Sequence, residues 1–307
     1  MSIVALAGGV GAAKLLRGLV RAIDPEEITV IGNTGDDAVF HGLHVSPDLD
    51  IVTYTLAGLV DEERGWGLRS DTTAALEQMA RLTIDAWFRL GDRDLGTHLA
   101  RTTWLNEGAS LSEVTDRIRS ALGVKVRILP MSDDPIRTKI VTAGGILRDF
   151  QEYFVRLRHR EQVAAVFFQG ISEAAPAPGV LEALAIADRV IVCPSNPVVS
   201  IGPILAVPGL REVLRSRRRD VFAISPIIEG AALKGPAVEL LEATGAEPSA
   251  SGVAALYADF CGAFILDRRD ADQRAKVEAL GMRAILLETI MQTPEVAEVL
   301  AKELLAL

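Results

Sequence analysis

The chain has 307 residues, 49% hydrophobic and 5% aromatic, enough to bury a large core in one big domain or two. Its formal net charge of −9 argues against a general nucleic-acid surface, and no run approaches the about 18 consecutive apolar residues of a membrane span. Two cysteines, Cys193 and Cys261, lack CxxC or Cys/His spacing, which argues against a disulfide scaffold or a zinc site; with no signal-like start, we expect a cytoplasmic protein.

The first element is the most telling. Ile3-Val4-Ala5-Leu6 reads as a strand that breaks at Gly8-Gly9-Val10-Gly11. It resumes as a helix with Leu15, Leu16 and Leu19 on one face and Lys14 and Arg17 on another. A strand turning through glycines into a helix presents unpaired backbone N–H groups and the positive end of the helix dipole. That is a phosphate cradle, with Gly9, Gly11 and Lys14 as candidate contacts. It is not a Walker A loop, because Leu15 follows Lys14, and the third glycine of G-x-G-x-x-G is replaced by Lys14. The next apolar run, 28–32, leads into Asn33, where an NAD site usually has Asp or Glu. A nucleotide or sugar phosphate other than NAD fits better than a purely structural turn.

Beyond that run come Asp36 and Asp37, then Asp48 and Asp50 in SPDLD. Four carboxylates within 15 residues beside a phosphate cradle suggest magnesium, which usually takes one or two carboxylates plus phosphate oxygens and water. Read as an extended segment, the D-x-D spacing puts Asp48 and Asp50 on one side. Loop capping is the competing reading for any single one of them.

Residues 60–122 show helix patterns without a convincing strand, so we expect a helical insertion leaning over the sheet. Arg64-Gly-Trp-Gly67 places Trp66 between glycines, either to stack on a flat ring or to anchor the insertion. SDTTAALEQMARL opens with Ser70 or Asp71 as a cap, and Ser110 with Glu113 spells a capping box. Gly91 and Gly96 interrupt the helical pattern, so Asp92, Arg93, Asp94 and His98 are expected on an exposed loop.

Short apolar runs at 126–130, 163–168, 189–193, 221–225, 263–266 and 284–287 read as buried parallel strands alternating with helices. The fold expected is α/β: a doubly wound, mostly parallel, Rossmann-like sheet from 1–59 and 123–307, with the helical insertion at 60–122. Ligands of such sheets bind beyond the carboxyl ends of the strands, where the polar loops converge. Among these loops, Asp133 and Asp134 form a second acidic pair ahead of Pro135, with Arg137, Thr138 and Lys139 just beyond as possible anion contacts. PSNPVVSIGP is stiffened by its prolines and offers Ser195, Asn196 and Ser200 to a nucleobase or phosphate. The basic run Arg211–Arg219 reads as a helix end. No metal-ligand spacing joins the four histidines, and no G-x-S-x-G elbow or Cys/His pair offers a covalent nucleophile.

Taken in order, GGVGAAKLL, GNTGDD, SPDLD, RGWG, LGDRDLGTH, ILPMSDDP, GISEA, PSNPVVSIGPIL and SPIIEG resemble the 2-phospho-L-lactate transferase (CofD-like) family of coenzyme F-420 biosynthesis, over nearly the whole chain. The resemblance implies that the ribityl hydroxyl of the deazaflavin Fo, 7,8-didemethyl-8-hydroxy-5-deazariboflavin, attacks a phosphorus of a guanosine diphosphate-linked C3 acid. GMP leaves, and F-420-0 or its dehydro form results. The C3 acid is 2-phospho-L-lactate, phosphoenolpyruvate or 3-phosphoglycerate. It also implies Mg²⁺ and a homodimer. By position, Asp36 and Asp50 match the magnesium acids, with Asp37 and Asp48 close seconds. Asp50 and the 88–94 segment lie where the family binds Fo, while Gly9, Gly11 and the PSNP loop would hold the guanosine phosphates. Two other classes compete with this one. Regulatory relatives that bind UDP-sugars share the glycine start but would not be expected to keep LGDRDLGTH and SPDLD together, and an NAD oxidoreductase is disfavoured by Asn33.

Overall fold

Seven of the apolar runs pair side by side into one sheet: β1 (Ile3–Ala7), β2 (Ile28–Gly32), β3 (Arg127–Pro130), β4 (Arg189–Val192), β5 (Val221–Ile224), β6 (Ala263–Asp267) and β7 (Arg283–Leu287). Every pairing is parallel, in the order β3-β2-β1-β4-β5-β6-β7. The computed structural model describes residues 1–233 and 235–307. Alternate side chains of each strand leave opposite faces, and both faces are covered. Val4, Leu6, Val190, Val192 and Phe264 join one core, and Ile3, Ala5, Ile191, Phe222 and Ile265 the other. This is the doubly wound arrangement the sequence predicts. The chain lays strands outward from β1 as far as β3, then restarts on the other side of β1 with β4. The crevice between the ends of β1 and β4 is therefore the switch point where such sheets bind ligands.

One expected strand lies elsewhere. The run beginning at Val163 forms Val163–Gln169, which pairs antiparallel with Arg137–Thr142 in a separate three-stranded sheet completed by Leu147–Asp149. The reason is patterning. Thr138, Ile140 and Thr142 are buried and alternate with half-buried Arg137, Lys139 and Val141, while Phe167 is exposed. A sheet covered on one face alternates in this way, whereas a central parallel strand is apolar on both.

Helix α1 (Gly9–Ala22) packs Leu15, Leu16 and Leu19 on the C-terminal helix Pro294–Leu305 through Ala297, Leu300, Ala301 and Leu304. The contact is closest at Gly18, where a Cβ would sit 2.1 Å from the Ala297 carbonyl oxygen. Helix α2 (Pro47–Leu56) follows a short hairpin, Ala38–Phe40 with Leu43–Val45.

Residues 60–122 contain α3 (Ala74–Arg81), α4 (Asp92–Asn106) and α5 (Leu111–Ala121) and add no strand to the large sheet. Ser110 and Glu113 form the predicted capping box of α5. The first turns of α3 and α4 are satisfied by exchange. Asp92 accepts the N–H groups of Ala74 and Ala75, and Asp71 accepts those of Arg93 and Asp94, at 2.9–3.1 Å. The cap expected on Ser70 or Asp71 for α3 is thus supplied from the start of the next helix. The segment expected as an exposed loop at 92–98 is the beginning of α4. Gly96 sits within it, a cost of about 1 kcal/mol that a helix held by caps and tertiary contacts absorbs. Among the described residues no helix is long and apolar enough to cross a membrane.

Replacing Gly18 by Ala should destabilise the protein. Alanine is normally worth about 1 kcal/mol over glycine inside a helix, but here the methyl meets backbone, and overpacking costs about 1–3 kcal/mol. A lower urea midpoint is expected; an unchanged or higher one would mean the two helices separate at little cost.

Candidate active site

The switch-point crevice is built from three segments. The end of β1 contributes Gly8 and Gly9 before α1 begins. A Cβ on Gly8 would fall 2.6 Å from Ser200 Cβ and 2.7 Å from Asp48 Oδ2, and one on Gly11 would fall 2.2 Å from the Pro194 carbonyl oxygen. Glycine is required at both because Ser200 and Asp48 press on Gly8 and the PSNP loop beyond β4 presses on Gly11. That loop is pinned to β1 by the Gly8 N–H donating to Ser195 Oγ at 3.3 Å. Asn196 shapes it, its Oδ1 accepting from the Val198 and Val199 N–H groups at 2.9 and 3.3 Å. Ser195 and Ser200 are buried in the crevice. Lys14 is exposed on α1 and Arg17 pairs with Glu62.

Acids converge from the second segment, the loop after β2, and the third, the start of α2. Asp36, Asp37, Asp48 and Asp50 are all buried. Asp48 and Asp50 do not lie on an extended segment as expected: Ser46 precedes α2, Pro47 opens it, and both acids occupy its first turn. Proline at the first helical position has its φ already set, and acids in that turn face the positive end of the dipole. Residues two apart on a helix are separated by roughly 200°, so the two carboxylates diverge. Asp48 points to the cradle, where it accepts from Asn33 Nδ2 at 2.8 Å and from the Gly9 N–H. Asp50 points to the insertion, where both its oxygens meet the Arg101 guanidinium, Nη1 to Oδ2 at 3.1 Å and Nη2 to Oδ1.

Arg101 is held from behind. His98, one turn earlier on α4, places Nδ1 3.0 Å from Arg101 Nη1. A guanidinium only donates, so Nδ1 accepts and the imidazole proton sits on Nε2. Nε2 lies at an ion-pair distance of 3.3 Å from Asp94 Oδ1, and that oxygen accepts the Tyr54 hydroxyl at 2.7 Å. Burial would raise Asp94, but His98, Tyr54 and Arg101 hold it below the usual carboxylate range.

The acids themselves are pushed the other way. Burial, followed by the charges of Asp48 and Asp37, holds Asp36 well above the ordinary carboxylate range. Burial pushes Asp37 up to about 8 against the opposing pull of Ser46, Arg101 and Arg137. Asp48 is pushed up to about 6, again mainly by burial. Asp36 Oδ1, Asp37 Oδ1 and the hydroxyls of Thr34 and Thr138 are buried without a hydrogen-bond partner. Unsatisfied oxygens among crowded carboxylates fit a bound cation. Among the described residues, no three His, Cys, Asp or Glu side chains form a ready-made cage.

Other expected site residues are placed apart from this cluster. Asp133 accepts the N–H and hydroxyl of Ser112, both at 2.7 Å, and anchors the first turn of α5. Asp92 caps α3 as described, and Arg93 is exposed, bonding the Arg69 carbonyl at 3.2 Å. Trp66 is 42% exposed and lines a small cleft with Leu68, Asp71, Gly91 and Asp94. Asp94 belongs to both this cleft and the Arg101 chain, so the cleft adjoins the acids through one carboxylate. Sequence reasoning missed Arg101 and Tyr54; Thr138, expected as a possible anion contact, has its hydroxyl buried. The signal for Arg101 was its three-residue spacing from His98, informative only once 92–106 is a helix.

A family model described as 2-phospho-L-lactate transferase CofD matches residues 3–291. The chain belongs to the CofD family. Its sequence is 42% identical over 299 residues to a 2-phospho-L-lactate transferase of Methanosarcina mazei, covering 97% of this chain and 98% of that one. It is 46% identical over 313 residues to a phosphoenolpyruvate transferase of Kitasatospora aureofaciens, covering 100% and 98%. The fold is shared with protein BH3568 of Bacillus halodurans at a TM-score of 0.64 and 19% identity, over 99% of each chain. The GGVGAAKLL, GNTGDD and SPDLD segments of this CofD-family chain are those that meet at the switch point, and the RGWG and LGDRDLGTH segments meet in the insertion beside it.

A carboxyl that holds its proton more tightly folded than unfolded makes the folded state the better proton binder between the two pKa values, so stability falls as pH rises through that interval. For Asp37 the interval runs from about 3.9 to about 8. With divalent cations chelated, the melting temperature should fall from pH 5 to pH 8, and Asp37→Asn should flatten the fall. An identical slope in the variant would show that Asp37 ionises freely in the fold.

Proposed function

We propose that this protein transfers a phospho-C3-acid group from a guanosine diphosphate-linked donor to the ribityl hydroxyl of Fo, releasing GMP, with Mg²⁺ at the acid cluster. Membership of the CofD family and the names of its close relatives support a phosphotransferase of F-420 biosynthesis. The observation that carries the finer reading is the pairing of a glycine cradle with buried, partly unsatisfied carboxylates at the sheet's switch point. Bound Mg²⁺ would neutralise charge on the reacting phosphoryl group.

Asp36, with Asp37 beside it, would hold the cation, and Asp50 would share it through lone pairs that the Arg101 fork leaves free. Gly9, Gly11, Ser195 and Ser200 would receive the guanosine phosphates, with backbone and hydroxyl donors taking the negative charge. The Trp66 cleft would seat the flat Fo ring, directing the ribityl chain past Asp94 toward Asp50. Phosphoryl-type transfer depends on such alignment and charge neutralisation rather than on a covalent enzyme intermediate. A carboxylate beside the cation would take the hydroxyl proton.

The test is fluorescence titration with Fo, with and without GDP and Mg²⁺, followed by transfer assays with each of the three donors. Binding enhanced by GDP and Mg²⁺, and turnover with at least one donor, are expected. No Fo binding together with thermal stabilisation by a UDP-sugar would place the protein among sugar-nucleotide binders instead. Asp36→Asn should lower kcat by about 100-fold or more at saturating Mg²⁺, the scale of removing one preorganised charge-stabilising group; turnover near wild type would remove Asp36 from the site. Trp66→Ala should raise the Fo dissociation constant, and an unchanged value would leave Trp66 a packing residue.

A further inference from the structure

Among the described residues, Arg101 is the only lysine or arginine that is buried. It comes from α4 in the insertion, while Asp50, which it grips, comes from α2, and Asp37, whose charge it also feels, from the loop after β2. Burying a guanidinium is costly, and burial alone would lower its pKa; Asp50, then Asp37, reverse that, so Arg101 stays charged. The guanidinium is held between two neighbours. Its two Nη atoms meet the two Asp50 oxygens, a bidentate fork that a lysine cannot reproduce. His98 stands behind it with Nδ1 at 3.0 Å, itself oriented by Asp94. The Nε–H of Arg101 is buried without a hydrogen-bond partner.

We propose that Arg101 is a positioning residue for the transfer, fixing the Asp50 carboxylate and lowering the negative charge of the acid cluster. The proposal rests on the function argued above and deepens it. The chain Asp94–His98–Arg101–Asp50 then couples the insertion to the reacting centre. A ligand in the Trp66 cleft and one among the acids would meet the Asp94 and Asp50 ends of one contiguous row, in which Arg101 is hydrogen-bonded to His98 and Asp50 and His98 Nε2 lies 3.3 Å from Asp94 Oδ1. Two opposed effects follow from removing the guanidinium. The acid cluster loses a competing positive charge, so a divalent cation should bind more tightly. Asp50 loses its fixed orientation, so turnover should fall.

The experiment compares the wild-type protein with Arg101→Gln, Arg101→Lys and His98→Asn. Mn²⁺ affinity is read by electron paramagnetic resonance without substrates, and kcat and KM for Fo are read in the transfer assay. Arg101→Gln should bind Mn²⁺ at least threefold more tightly and lose at least 30-fold in kcat, with KM for Fo within about threefold. Millimolar methylguanidinium should recover part of the lost kcat. Arg101→Lys keeps the charge without the fork, so its Mn²⁺ affinity should stay near wild type while kcat falls at least tenfold. His98→Asn leaves the Arg101–Asp50 pair in place and should show a smaller loss of kcat in the same direction. Weaker Mn²⁺ binding together with a lower kcat would mean general loosening and would overturn the proposal, as would wild-type kcat in Arg101→Gln. Should Arg101→Gln fail to fold, wild-type kcat in a folded Arg101→Lys overturns it. A wild-type protein that binds Mn²⁺ but transfers nothing to Fo would instead refute the proposed function.

Discussion

Negative charge buried at one edge of a sheet is the constraint to which the rest of this structure answers. Asp36, Asp37, Asp48 and Asp50 are crowded at the switch point beside the N-terminus of α1. Each ionised carboxylate out of water is expensive unless paired or hydrogen-bonded. The fold meets the demand in three ways. Asp50 is paired with Arg101, Asp48 is bonded by Asn33 and the Gly9 N–H, and Asp37 takes the Ser46 hydroxyl at 2.7 Å. Asp36 is held well above the ordinary carboxylate range by burial and by the charges of Asp48 and Asp37.

That arrangement explains why the insertion is part of the site rather than an ornament on the sheet. Its helices add nothing to the parallel sheet, and their own first turns are satisfied by the Asp71 and Asp92 exchange. What α4 delivers to the core is the His98 and Arg101 face. The aromatic stack of Phe40 on Phe88, at 3.8 Å, ties the hairpin after β2 to the segment leading into α4. The stretch from the hairpin to α2 is therefore fastened to the insertion at two places, one apolar at Phe40–Phe88 and one charged at Asp50–Arg101.

Much of this was legible in the chain. Short β-branched runs closed by glycine, proline or acid gave the seven parallel strands, because a strand buried on both faces leaves no other pattern. Ser110 and Glu113 announced α5 because a capping box is a local motif whose partners are three residues apart. The errors share one cause. The glycines of 92–98 suggest a loop and the alternation of SPDLD an extended segment, whereas both are first turns of helices stabilised by contacts distant in sequence. Asp71 reaches the start of α4 from 22 residues away, and Gly8 abuts Ser200 across most of the chain. Once α4 is a helix, His98 and Arg101 fall on one face, and the partner of Asp50 becomes visible. The strand at 163–169 shows the same limit: its apolar content was legible, its assignment to a second sheet depended on pairing with Arg137–Thr142.

On the function proposed here, the same charge economy constrains how a phosphorylated donor enters. The cradle at α1 offers backbone donors and a helix dipole, yet the Asp48 carboxylate already faces it. A diphosphate would meet that carboxylate before reaching the glycine amides. Two like charges about 4 Å apart repel by several kcal/mol at a protein-like effective dielectric. Arg101 offsets only part of this, and its guanidinium is committed to Asp50. Uncompensated, the site is therefore selective against the anion its own backbone is shaped to hold. Donor and divalent cation should accordingly favour each other's binding, because each supplies the charge that the other finds in excess, and thermodynamic linkage makes that preference equal in both directions.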